Sequence, residues 1–174
     1  IKIPNVPEYT KQELLAFEKE VLGVYVSGHP LDEYAKMWEK HISARTIDFE
    51  IDEDTGETKV KDTSRQTIGG MITSKTVKIT KTGQPMAFLI LEDLVGTVEV
   101  VVFPNTYSQY RYILDRTEKV FVTGKVQANV DENGKMICEK IVDFDDVPRK
   151  LWIRFENTQD YISNKEELFS MFNN

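Results

Sequence analysis

The stretch Thr67–Thr80 (TIGGMITSKTVKIT), Pro85–Glu92 (PMAFLILE) and Thr97–Phe103 (TVEVVVF), followed by Pro104–Asp115, Lys119–Val130 and Lys135–Phe144, decides the fold. Five of these six segments alternate apolar and polar residues with a period of two, as strands with one buried face do. Their boundaries carry turn chemistry. Thr82-Gly83 separates the first two strands and Val95-Gly96 the next two, while Asn133-Gly134 has the composition of a tight hairpin turn between the last two. In Pro104–Asp115 the period changes: Tyr107, Tyr110 or Arg111, and Leu114 recur at helical steps, and Pro104 stands where a first turn tolerates it.

Three strands, a helix and two strands is the order of an oligonucleotide-binding (OB) barrel, so the chain reads as mainly β, a five-stranded barrel with one interposed helix. Such barrels bind nucleic acid through the second and third strands and two neighbouring loops. Ala87, Leu89, Leu91, Val98, Val100 and Val102 share one parity and make an apolar interior. The opposite parity turns Phe88, with Glu92, and Phe103, with Glu99, to the outside, where a ring can stack on a base. Lys75, Lys78 and Lys81 run from the first strand into the following loop and are candidate phosphate contacts, with Arg111 on the helix and Lys125 on the fourth strand extending the track. Each has a plainer reading: lysines discourage pairing at exposed edges, and barrel aromatics often plug the core.

Net charge is −7, which opposes phosphate binding by the chain as a whole, but its distribution is uneven. Residues 1–64 hold 8 Lys/Arg against 14 Asp/Glu, whereas residues 65–145 hold 10 of each. One cysteine, Cys138, excludes an internal disulfide framework and fits a cytoplasmic setting. No apolar run approaches the roughly 18 residues of a membrane span. His29 and His41 lack companions at metal-ligand spacing, so no metal or catalytic site is expected in the chain itself.

Outside the barrel, Thr10–Leu22 reads as an amphipathic helix with a capping box at Thr10 and Glu13, an apolar face of Leu14, Phe17 and Val21, and a Gly23 stop. Leu31, Tyr34, Trp38 and Ile42 mark a second. The expected organisation is a two-helix segment (1–47), an acidic linker (48–64), the nucleic-acid-binding barrel (65–146) and the start of a small α/β unit (147–174). In that last unit Leu151–Phe155 alternates as a strand, Ser163 and Glu166 have capping-box spacing, and Glu166-Glu167-Leu168-Phe169 is a faint match to clamp-binding peptides. A strand and one helix cannot bury their own apolar faces, and the chain opens on Ile1. A segment of a longer, monomeric chain is the expectation.

The run from Phe17 through Leu22-Gly23 to Ser27-Gly28-His29-Pro30-Leu31 resembles the segment before the OB domain in bacterial replicative DNA polymerase III alpha subunits. Gly69-Gly70-Met71-Ile72, Lys81-Thr82-Gly83 and Leu91-Glu92-Asp93-Leu94-Val95-Gly96 on to Pro104 are similar to that family's OB domain. The resemblance implies a DNA-directed DNA polymerase that uses Mg2+, binds single-stranded template, and contacts a sliding clamp and the clamp-loader tau subunit. It also implies that this piece is non-catalytic, since the catalytic aspartates belong to an upstream palm domain. Two other classes stay open: a protein-interaction scaffold within a replisome, and the tRNA anticodon-binding OB domain of an aminoacyl-tRNA synthetase.

Overall fold

A computed structural model of the chain describes residues 8–130 and 132–147, together with Ile162 and Lys165. Among these, β1 (Arg65–Ile79), β2 (Pro85–Glu92), β3 (Thr97–Val102), β4 (Lys119–Gln127) and β5 (Lys135–Asp143) form a closed barrel in the order β1-β2-β3-β5-β4. α1 (Lys11–Leu22) and α2 (Ala35–His41) precede it, and α3 (Pro104–Arg116) lies between β3 and β4. The five strands and the interposed helix fall where the alternation predicts.

Closure depends on two features of the strands. β1 is long enough to pair with both neighbours: Arg65–Met71 faces β4, and Met71–Ile79 faces β2, with a bulge between Ile72 and Ser74. The other is a short parallel seam, Val100 opposite Met136 and Val101 opposite Ile137, that joins β3 to β5. The interior parity set is buried as expected, Ala87, Leu89, Leu91, Val100 and Val102 at 0% exposure and Val98 at 5%. Removing each such side chain from water is worth on the order of 1.5–3 kcal/mol for the larger ones, which outweighs any single polar contact in the barrel. α3 adds Tyr107, Ile113 and Leu114 to the same core.

The helical segment packs on one end of the barrel's outer surface. Leu31 and Trp38 join Phe121, Phe144 and Val147 in a second cluster, where Phe121 stacks on Phe144 at 4.3 Å. Trp38 Nε1–H donates to the Gly69 carbonyl at 2.6 Å. A side chain at Gly69 would place its Cβ 2.5 Å from the Phe121 ring and 3.0 Å from Trp38, so the approach of helix to strand requires glycine there.

Several details differ from the sequence expectations. The capping box of α1 forms, and Gly23 ends the helix at a φ of 75°. Its Leu14–Phe17–Val21 face, however, points to solvent. Leu15 is the buried residue, and Lys19 reaches Glu92 of β2 at 3.3 Å, so the barrel meets a different side of the helix. The stretch 48–64, read as an acidic linker, sends Phe49 and Val60 into the barrel core at 1% and 6% exposure. Two isolated apolar side chains suffice there because backbone bonds hold the segment: Gly134 N–H donates to Phe49 O and Val60 N–H to Asp48 O. Asn133-Gly134 makes no tight turn. Asn133 instead accepts from Ile51 N–H at 3.0 Å, and the β4–β5 connection is a longer loop folded onto residues 49–51. Phe103 lies just past β3 as the N-cap of α3. The strand at Leu151–Phe155 and the cap at Ser163 and Glu166 lie outside the described residues.

Gly69→Ala should lower stability by about 1–3 kcal/mol, the ordinary cost of overpacking. Urea denaturation followed by tryptophan fluorescence measures it, and an unchanged midpoint would mean that Trp38 is not seated against β1.

Candidate nucleic-acid interface

Register fixes which outward side chains are neighbours around the barrel. Thr76 lies opposite Phe88, Phe88 opposite Val101, Val101 beside Ile137, Ile137 opposite Lys125, and Lys125 opposite Arg65. These residues form one lateral row crossing all five strands on the outside. From Phe88 to Lys125 is three strand spacings, roughly 14 Å at about 4.8 Å each. The α1–α2 segment packs at the other end of the outer surface, around Gly69, Phe121 and Val142.

The centre of the row is apolar and its margins are cationic. Val101 is 7% exposed and Phe88 and Ile137 are half-buried, whereas Lys125 and Arg65 are exposed. Lys78 Nζ sits 5.0 Å from the Phe88 ring centroid. Such a contact is worth about 0.5–1 kcal/mol when exposed, and stacking a base on the ring about 1–3 kcal/mol. A base can therefore take the ring face and release the ammonium to a phosphate. Flanking charges are paired across strands: Lys135 with Glu99 at 3.1 Å and Arg65 with Glu139 at 3.0 Å.

The local electrostatics favour an anion more than the whole-chain charge does. Residues 63–91, which contain β1, the following turn and most of β2, carry Arg65, Lys75, Lys78 and Lys81 and no acid, in a chain with 29. Lys81 and Lys125 have no hydrogen-bond or ion-pair partner among the described residues, which leaves both ammonium groups available.

The seven residues singled out by the sequence do not all meet. Lys78 and Phe88 are brought together, and Lys125 closes the row. Phe103, 48% exposed, is on the parity of Val101 two residues along. Lys81 is at the turn between β1 and β2. Lys75 is diverted, because the bulge before Ser74 puts it opposite Leu89, on the interior side. Its Nζ donates to Leu114 O at 2.9 Å and pairs with Asp115 at 3.0 Å, so it caps the C-terminal end of α3, where cations are favoured. Arg111 shares Asp115 at 3.3 Å. Arg65 and Ile137 belong to the row and were not singled out. The antiparallel pairings of β4 set Arg65 and Ile137 on either side of Lys125, the parallel β3–β5 seam joins Ile137 to Val101, and alternation within one strand holds no signal of either.

Buried polar groups away from the row are structural. Asp93, 2% exposed, accepts from Thr46 N–H and Oγ1–H and from the amides of Val95 and Gly96, tying the β2–β3 turn to the segment before β1. His29 Nδ1 accepts from Leu31 N–H at 3.1 Å, a loop-capping arrangement. Burial pushes the Cys138 thiol up to about 12, which keeps it un-ionised. Among the described residues no group of three or more His, Cys, Asp or Glu side chains could hold a metal ion, and no helix is long and apolar enough to cross a membrane.

Comparison with known proteins agrees with this geometry. A family model described as an OB-fold nucleic acid binding domain matches residues 66–144. DNA polymerase III subunit alpha of Borreliella burgdorferi is 35% identical over 138 residues, 79% of this chain and 11% of that protein. The chain is homologous to one segment of DNA polymerase III alpha subunits. The counterpart from Mycobacterium tuberculosis is 37% identical over 131 residues, 75% of this chain and 10% of that one. The chain thus spans about a tenth of the length of these polymerase subunits. Among solved structures, asparaginyl-tRNA synthetase from Pyrococcus horikoshii aligns with 48% of this chain and 20% of its own at 21% identity and a TM-score of 0.39, too distant to bear on function.

The Lys75 hydrogen bond holds the Asp115 carboxyl below its usual range. Its contribution is therefore full at neutral pH and disappears as pH falls through the lowered folded value. In an NMR titration Asp115 should show its midpoint below about 3.9, the ordinary aspartate value, and Lys75→Met should move it upward. A midpoint unaffected by Lys75→Met would place the lysine elsewhere.

Proposed function

We propose that this barrel is a non-catalytic module that binds an unpaired DNA strand across its open outer row, serving template handling in a cytoplasmic replicative DNA polymerase. The observation that carries the reading is the row itself: Phe88, Val101, Ile137, Lys125 and Arg65 as lateral neighbours, with Lys78 over the Phe88 ring. A strand laid across it meets an aromatic face and cations at both ends, which suits sequence-tolerant binding of unpaired nucleotides. Homology to DNA polymerase III alpha subunits supports DNA as the ligand.

Nucleotidyl transfer with its Mg2+, and the contacts with sliding clamp and tau, are assigned by this reading to other parts of a longer polypeptide. The isolated chain, acting as a monomer, binds weakly, because few phosphates are neutralised. Held beside template that is already bound elsewhere, it acts at high effective concentration, so modest intrinsic affinity is adequate.

Anisotropy titration with labelled single-stranded oligonucleotides at two salt concentrations tests the reading. Neutralising Lys78, Lys81 and Lys125 together should weaken binding at least tenfold and flatten the salt dependence by about two log units per log unit of salt, at roughly 0.7 per phosphate contact. Phe88→Ala should cost about fivefold or more without changing that slope. Binding retained in the triple variant would remove the row as the site.

A further inference from the structure

Past Ala87 opposite Val102, where the pairing with β3 ends, β1 and β2 continue as a short two-stranded arm with Lys78 opposite Met86 and Ile79 opposite Pro85. Thr73–Ile79 is exposed residue after residue regardless of parity, yet the register holds to Ile79 opposite Pro85. The tip is ordered by its own bonds: Thr80 N–H donates to Gln84 O at 2.8 Å, Gly83 N–H to Thr80 O at 2.9 Å, and Gln84 N–H to Thr80 Oγ1 at 3.1 Å. Gly83 takes the left-handed conformation, φ 79°, that the turn needs.

The two faces of the arm differ. One carries Lys78 and continues the row outward from Thr76 and Phe88. The other presents Val77, 45% exposed, and Ile79, 66% exposed, with Pro85 opposite Ile79. Single exposed apolar residues are ordinary; here two share one face at the end of a hydrogen-bonded hairpin, beside Lys78 and Lys81 and within the acid-free stretch 63–91. That charge suits a polyanion, and homology to DNA polymerase III alpha subunits makes DNA the polyanion to consider. The side chains are aliphatic, and aliphatic wedges in DNA-binding proteins abut or enter base steps.

We propose that the arm seats at the junction where duplex DNA gives way to an unpaired strand. Val77, Ile79 and Pro85 lie against the terminal base pair, Lys78 and Phe88 lead one strand onto the row, and Lys81 meets a phosphate on the duplex side. This rests on the row taking an unpaired strand, and it adds a preference that the row alone does not provide. The face that tracks the strand and the apolar face belong to the same two strands, so the arm separates the leading strand from the last base pair.

Anisotropy with the 174-residue chain can test this on three DNAs: a free oligonucleotide, the same oligonucleotide as an overhang of either polarity on a duplex, and the blunt duplex alone. One overhang polarity should bind about fivefold tighter than the free strand, the factor that one modest base contact provides. A Val77→Thr, Ile79→Thr double variant, both positions exposed and both replacements suited to strands, should lose that advantage while keeping free-strand affinity and the urea midpoint. No junction advantage, or an advantage surviving in the double variant, would overturn the wedge and leave the row intact. Failure to bind the free strand would overturn the row and the wedge with it.

Discussion

The parallel contact of Val100 and Val101 with Met136 and Ile137 is the constraint on which the rest of the structure depends. Without it the strands form an open sheet with two unpaired edges. The interior residues of β2 and β3 would lose their opposite wall, and Val101 and Ile137 would stand on opposite edges of the sheet. With it the sheet closes, its edges are satisfied, and the outward residues of five strands become one surface. A short seam suffices because the interior residues are already driven together by burial, so the seam mainly fixes register.

The helices before the barrel set which part of that surface is used. Trp38, anchored on the Gly69 carbonyl, and the Phe121–Phe144 stack occupy one end, leaving the other open. β1 and the turn after it carry four cations before the first acid, Glu92, which is itself drawn off by Lys19 at 3.3 Å. A chain with a net charge of −7 can therefore hold a locally positive ribbon. Long-range repulsion is screened at physiological salt over about 8 Å, shorter than the barrel is wide, so local charge decides.

Much of the barrel was legible in the alternation. The interior set from Ala87 to Val102 and the helix at Pro104 followed from periodicity alone, because a sheet with one buried face must repeat every two residues. What alternation could not supply was any non-local geometry. The bulge before Ser74 reverses the side on which Lys75 emerges, and its capping of α3 pairs residues about 40 positions apart. Arg65 and Ile137 reach the row only through pairings across four strands. Composition misled at residues 48–64, where average charge conceals Phe49 and Val60, two side chains that fill core positions. Periodicity misled at α1, whose most apolar side is not the side the barrel contacts. The candidate site was thus half legible: residue type and strand were readable for Lys78, Phe88 and Lys125, and their neighbourhood was not.

Chemical-shift mapping on an isotope-labelled sample during titration with an unpaired oligonucleotide addresses the central claim most directly. The account predicts that the largest perturbations run laterally through Lys78, Phe88, Val101, Ile137, Lys125 and Arg65, crossing the β3–β5 seam, with α1 and the Trp38 indole unmoved. Perturbations confined to α1 and residues 48–64, with the lateral row silent, would contradict it.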